Sequence, residues 1–190
     1  VNEISYWAGN EFLNFDTKEI RNATNNIYKT RMEDNFNTYL YATEARGNRP
    51  YTFFPDINGN FVLRTLDAQD VALEADYSRV HFSLDYPNKE EEDDIYIYGS
   101  FNDWQINEDN RMKFNPETGY YEAQLLFKQG FYNYTYVSVG KDGLINTHKV
   151  EGSFYQTEND YTVIVYYRKF GDRYDQVIGL GTANSERLLN

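Results

Sequence analysis

From Val80 to Tyr86 the chain alternates without a break: Val80, Phe82, Leu84 and Tyr86 fall on one side, His81, Ser83 and Asp85 on the other. A period of two sends successive side chains to opposite faces of an extended backbone, the pattern of a half-buried strand. The same period recurs downstream. Ile95 and Ile97 alternate with Tyr96 and Tyr98. Tyr121, Ala123, Leu125 and Phe127 share a face after the turn residues Asn115-Pro116-Glu117-Thr118-Gly119. Lys128-Gln129-Gly130 leads into Phe131 to Val139, where Tyr132, Tyr134 and Tyr136 share one side, and Gly140-Lys141-Asp142-Gly143 reads as the next turn. Tyr161, Val163, Val165 and Tyr167 then alternate with Thr162, Ile164 and Tyr166. Short strands at near-regular spacing, with turn chemistry between them, predict an all-β, antiparallel sandwich over residues 75–170.

Residues 1–74 are less regular. Asn58-Gly59 between Tyr51–Ile57 and Phe61–Thr65 is a strong hairpin signal. Asn37 to Ala42 reads as a strand, Ile4 to Phe15 as an edge strand, and Asp67 to Ala75 as a short helical turn. This segment is expected to form β-hairpins that pack beside the sandwich or link into it. Residues 171–190, with Ile178-Gly179-Leu180-Gly181, are expected to form a tail that docks on the surface as a loop. Nineteen Tyr, 13 Phe and two Trp make 18% of the 190 residues aromatic, a content that suits packed strands and opposes disorder.

Composition removes several function classes. Without cysteine there is no disulfide framework, thiolate zinc site or cysteine nucleophile. A net charge of −12 without a basic patch repels nucleic acid. The acidic run from Lys89 to Asp94 lacks the alternating oxygen ligands and tight turn of a calcium loop, and is expected to be a solvated connection. No apolar stretch approaches the roughly 20 residues of a spanning helix. The chain opens on Val1 without a basic, apolar leader, which suggests a processed chain or an excised fragment.

Catalytic signals are equally sparse. His81 and His148 are the two imidazoles, neither beside a serine in a nucleophile-elbow context nor spaced as metal ligands. Thirty acids make carboxylate pairs inevitable, so a glycosidase pair cannot be read from them, although a deep cleft with two facing acids would revive that reading. Ile178-Gly179-Leu180-Gly181 lacks the third glycine of a phosphate-binding fingerprint. Asn22-Ala23-Thr24 and Asn133-Tyr134-Thr135 match a glycosylation pattern that is frequent by chance. No catalytic residue, metal site or cofactor is expected.

Gly99-Ser100-Phe101-Asn102-Asp103-Trp104 follows the strand ending at Tyr98. It resembles the Gly-Ser-Phe-Asn-x-Trp signature of glycogen-binding modules and related early-set immunoglobulin-like domains, over residues 78–168. The resemblance implies an immunoglobulin-like sandwich and, in carbohydrate-binding relatives, a Trp face that stacks on sugar. Two further sugar contacts of those modules are missing: a lysine is replaced near Thr135, and a second tryptophan by Leu144 and Ile145. Carbohydrate (α-glucan) binding is therefore the alternative reading.

A second resemblance spans nearly the whole chain. Trp7-Ala8-Gly9-Asn10-Glu11-Phe12, Phe15-Asp16, Pro50-Tyr51, Asp56-Ile57-Asn58-Gly59, Glu74-Ala75-Asp76-Tyr77 and Val80-His81-Phe82 come first. Lys128-Gln129-Gly130, Glu151-Gly152-Ser153-Phe154, Thr157-Glu158-Asn159, Val165-Tyr166-Tyr167-Arg168 and Asp172-Arg173-Tyr174-Asp175 follow in order. This series resembles the later part of the Plug family of the type IX secretion system, whose members are about twice as long. The resemblance implies a non-catalytic periplasmic β protein, peripheral to the outer membrane, that binds the translocon barrel and blocks its periplasmic opening. Asp103 and Trp104, with the face of Tyr132, Tyr134 and Tyr136, are the candidate contact residues; the alternative is that these rings cover the core.

Overall fold

The run from Tyr77 to Asp85 lies inside a six-stranded sheet, with Ser78, Val80, Phe82 and Leu84 buried and the side chains between them less so. The structure, a computed structural model, describes residues 5–66, 68–87 and 93–185. Its strands are, in chain order, β1 (Leu13–Asp16), β2 (Ile27–Met32), β3 (Phe36–Leu40), β4 (Thr43–Glu44) and β5 (Phe61–Leu63). After the one-turn helix α1 (Val71–Glu74) come β6 (Tyr77–Asp85), β7 (Asp94–Tyr98), β8 (Lys113–Phe114), β9 (Tyr121–Lys128) and β10 (Gly130–Val139). The last are β11 (Ile145–Asn146), β12 (Asp160–Tyr167) and β13 (Gln176–Asn184).

One sheet has the order β2-β3-β6-β9-β8, with β4 beside the end of β6. The other is built around β10: β1 and β5 pair with its first half, β7 and β11 with its second. The expected all-β sandwich is present, with one departure from antiparallel pairing. β3 and β4 run parallel to β6. Parallel neighbours need a long crossover, and the chain between β4 and β6 supplies it by lending β5 to the opposite sheet. Strands from the first 74 residues are thus members of both sheets.

Between the sheets lies an aromatic core. Phe15 of β1 stacks on Tyr132 of β10 at 5.2 Å and meets Phe127 of β9 edge-on at 5.2 Å. Phe82 of β6 meets Tyr134 edge-on at 5.2 Å. Each such pair adds roughly 0.5–1.5 kcal/mol beyond the area it buries. Ile27, Leu40, Val80, Leu84, Ile95, Ile97 and Val150 complete the packing.

Several expected elements shift. The Asn58-Gly59 turn forms, with φ of 56° and 75°, yet residues 51–57 are not a strand. The segment is held by side-chain bonds instead: the Ile57 N–H donates to Asn133 Oδ1 at 2.6 Å, and Asp56 Oδ2 accepts the Phe12 N–H at 2.8 Å. The edge strand expected from Ile4 begins at Leu13, and Ile4 itself lies outside the described residues. The helical turn forms at 71–74, capped by Asp70 Oδ1 on the Ala72 N–H at 3.0 Å; Asp67, in the same expectation, is outside the described residues. Residues 89–92 of the acidic run are also outside them, while Asp93 pairs with Lys149 at 2.5 Å and Asp94 with Arg111 at 2.5 Å.

The largest correction concerns the C-terminal part. β12 does not join the sandwich, and the described part of the expected tail is not a docked loop: β13 lies within it, and among the described residues β12 pairs with β13 alone, as a two-stranded ribbon. Residues 186–190 lie outside the described residues. Gly181 and Gly179 fall opposite Val163 and Val165, so the branched side chains stand beside the gaps the glycines leave. Arg168 closes the loop end with two bonds to Asp175, at 2.8 and 2.9 Å.

Candidate functional site

The Gly99–Trp104 element is built into the sandwich rather than draped over it. A Cβ on Gly99 would lie 2.9 Å from the Asn133 carbonyl oxygen, so only glycine allows this approach. Ser100–Asn102 form a 3₁₀ turn that drops Phe101 onto Phe127 at 4.9 Å. Asn102 Nδ2 donates to the carbonyls of Ile97, at 3.3 Å, and Gln105, at 3.2 Å. Asn110 Nδ2 donates to the same two carbonyls, at 2.8 and 2.9 Å.

Asp103 and Trp104 follow in the left-handed region, with φ of 52° and 56°. Together with Asn58 they are the non-glycine residues of positive φ among the described residues, and the turn at Asn58-Gly59 lies directly beneath Trp104. Left-handed backbone costs roughly 1–2 kcal/mol per residue, so the surrounding packing must hold it. Trp104 packs edge-on against Tyr98 at 5.1 Å and Phe12 at 6.0 Å, leaving 37% of it exposed. The ring is a wedge between two turns. Asp103 is exposed beside it. Leu144 and Ile145 are exposed and offer no second aromatic platform.

Tyr132, Tyr134 and Tyr136 are corrected from contact face to core. They do share a side of β10, but it is the inner side, and each is at most 3% exposed. Tyr132 lies between Phe15 and Phe61, with ring centroids at 5.2 and 5.3 Å, and its hydroxyl donates to the Lys128 carbonyl at 2.7 Å. Burial pushes the Tyr134 phenol up to about 12 and the Tyr136 phenol well above its ordinary value. No partner reaches these rings without opening the sandwich.

A buried ionic cluster lies beside them. Arg46 Nε donates to Glu151 Oε2 at 2.5 Å, and its Nη2 donates to the Glu11 carbonyl at 2.7 Å. Glu151 Oε1 accepts the Tyr136 N–H at 3.3 Å, between the residues of β10 that pair with β1 and those that pair with β11. The Tyr51 hydroxyl donates to Glu11 Oε1 at 2.5 Å. Burial raises both carboxyls; Tyr51 opposes this at Glu11, and Arg46 opposes it at Glu151. The cluster ties the N-terminal segment to β10, a pinning role that sequence patterning missed. His81 stacks on Tyr39 at 4.2 Å, and His148 on Trp7 at 4.0 Å. Among the described residues no three His, Asp or Glu side chains gather as metal ligands would.

The surface feature without an internal purpose is the ribbon. Val163, Ile164, Val165, Tyr166 and Tyr167 of β12 are exposed, as are Val177, Ile178 and Leu180 of β13 and Phe170 and Tyr174 in the loop. An isolated two-stranded hairpin is marginally stable in water unless its apolar faces are covered, and large exposed apolar patches mark interaction surfaces. At its base Asn159 Nδ2 donates to the Ala8 carbonyl at 2.9 Å, and Tyr161 lies 6.1 Å from Tyr6. Tyr6 and Trp7 extend the exposed apolar surface toward the body. No helix among the described residues is long and apolar enough to cross a membrane.

Fold and surface define an all-β sandwich protein with a projecting apolar ribbon. Neither a family model nor a curated protein matches the chain. Among solved structures it is similar to the crystal structure, at 2.30 Å resolution, of a hypothetical protein from Parabacteroides merdae ATCC 43184, with a TM-score of 0.85 and 33% identity. The match covers 93% of this chain and 45% of that one, so the chain spans less than half the length of that structure.

Proposed function

We propose that this chain is part of a non-catalytic periplasmic protein that docks on the outer-membrane translocon barrel of type IX secretion and blocks its periplasmic opening. The ordered series of motifs resembling the Plug family supports the identity of the partner. The ribbon β12–β13 carries the docking claim: among the described residues its apolar side chains stay exposed, and its strands have no neighbours beyond each other. A ribbon of this kind adds to a partner by edge pairing or by burying its faces. Its charge suits insertion. Residues 160–185 hold three basic side chains (Arg168, Lys169, Arg173) and three acidic ones (Asp160, Asp172, Asp175), within a chain of net charge −12.

The length of the Parabacteroides merdae protein, more than twice the stretch matched, agrees with the expectation that Plug-like proteins are about twice as long as this chain. The test is co-purification of the full-length protein with the barrel from native outer membranes. Recovery of the barrel by the wild type, and its loss in the cross-strand double variant Ile164→Glu with Leu180→Lys, supports the reading. Failure of the wild type to bring down the barrel overturns it. Protection of the ribbon amides from exchange in the full-length protein alone would assign the cover to the protein's own remainder.

A further inference from the structure

The outer face of the six-stranded sheet carries a groove of about 830 Å³ that the docking proposal does not use. Its floor crosses the sheet from Tyr28 of β2 through Tyr39 of β3, His81 and Ser83 of β6 and Gln124 of β9 to Lys113 of β8. Four interstrand steps make this path about 19 Å long. Because alternate side chains of β6 face opposite ways, burying Phe82 and Leu84 commits His81 and Ser83 to the groove.

The groove has two unlike ends. At one, Tyr28 lies 6.2 Å from Tyr39 and 5.4 Å from Tyr41, while Tyr39 stacks on His81 at 4.2 Å. Tyr28 and Tyr41 are about half exposed, so ring surface remains open on the solvent side of the sheet. At the other end, Arg111 is held by Asp94 and Glu108, and Glu122 accepts from Asn115 and Thr118. Ser83, Gln124 and Lys113 lie between and beside these groups as further donors and acceptors. Glu108, Asp109 and Glu122 line the groove together with Arg111 and Lys113, so the lining is close to charge balance in a strongly acidic chain.

We infer that this groove binds a neutral oligosaccharide. The lining is mainly polar, with Tyr28 and Tyr39 as an aromatic end, a make-up that suits a hydroxyl-rich ligand better than an apolar one. A linear sugar offers both halves of the match: apolar ring faces for the half-exposed Tyr28 and Tyr41 and hydroxyls for Ser83, Gln124 and Lys113. The acids along the rim disfavour an anionic ligand. The site is separate from Trp104, which follows β7 of the opposite sheet and is wedged against Gly59 and Phe12.

Calorimetric titration of the full chain with maltohexaose, cellohexaose and N-acetylchitohexaose tests it. Saturable binding of at least one is expected, weakened about tenfold or more by Tyr28→Ala and by Gln124→Ala, a loss of about 1.4 kcal/mol, and unchanged by Trp104→Ala. Silence toward all three sugars at millimolar concentration overturns the inference. So does binding that Trp104→Ala removes and Tyr28→Ala spares, or a groove protected from hydrogen exchange only in the barrel complex. Tyr28→Ala leaves barrel recovery intact, so failure here and failure of the docking proposal are distinguishable.

Discussion

Glu151 holds Arg46 inside the sandwich across 105 residues of sequence, with Nε and Oε2 2.5 Å apart and only 2% of the Glu151 side chain exposed. Burial of two charges costs several kcal/mol each, so the pair persists through its geometry and through the bonds each partner makes to backbone. Glu151 also occupies the position on β10 where a neighbouring strand would otherwise take the Tyr136 N–H.

Glu151→Leu leaves the Arg46 guanidinium buried without its partner and is expected to lower stability by about 3–5 kcal/mol in urea unfolding. Arg46→Met combined with Glu151→Leu should recover much of that loss. A double variant as unstable as the sum of the single ones would contradict the pairing.

Gly59→Ala places a Cβ against the rings of Trp104 and Phe12 at a backbone of φ +75°. Overpacking together with a left-handed alanine should cost about 2–4 kcal/mol. In a Trp104→Ala background the same change should cost clearly less, and the coupling read from the double-mutant cycle measures how firmly the two turns are wedged.

His81 gives the protein a pH-sensitive contact. Burial pushes its imidazole below the ordinary value of 6.5 and Arg79 adds to this, while Glu33 and Glu122 pull the other way. The unfolded chain therefore binds the proton first as pH falls. The stability this neutral ring contributes is present above about pH 6.5 and is lost as pH drops through the lower value of the folded state. His81→Gln should flatten that part of the curve of unfolding midpoint against pH.

Tyr132→Phe removes a hydroxyl bonded to the Lys128 carbonyl and should cost about 1 kcal/mol. Tyr132→Ala opens the core beside Phe15 and should cost about 3–5 kcal/mol. Barrel recovery by the phenylalanine variant should match the wild type, because the ring never meets a partner.

Strand alternation made much of this fold legible. Val80, Phe82 and Leu84 face inward as their spacing requires, and Tyr132, Tyr134 and Tyr136 do share a side. The period shows that residues share a face; it does not say which face the second sheet covers. The tyrosine side was therefore open to both readings. β12 looked like another sandwich strand for the same reason, since Val163 and Val165 alternate with Thr162 and Ile164 whether or not a sheet lies beneath. Gly179 and Gly181 hid β13, because glycine weakens a strand pattern unless its cross-strand partner is known to be valine. The Arg46–Glu151 pair had no local signal at all. It depends on two connections being brought together by strands that neither belongs to.

The most direct test of the docking account is quantitative recovery of the translocon barrel from native outer membranes by full-length protein carrying Ile164→Glu with Leu180→Lys. These residues are direct partners across the ribbon, and the change replaces an apolar pair by opposite charges without touching the sandwich core. The account predicts an unfolding free energy within about 0.5 kcal/mol of wild type, together with loss of barrel recovery. Undiminished recovery by the folded variant would contradict it.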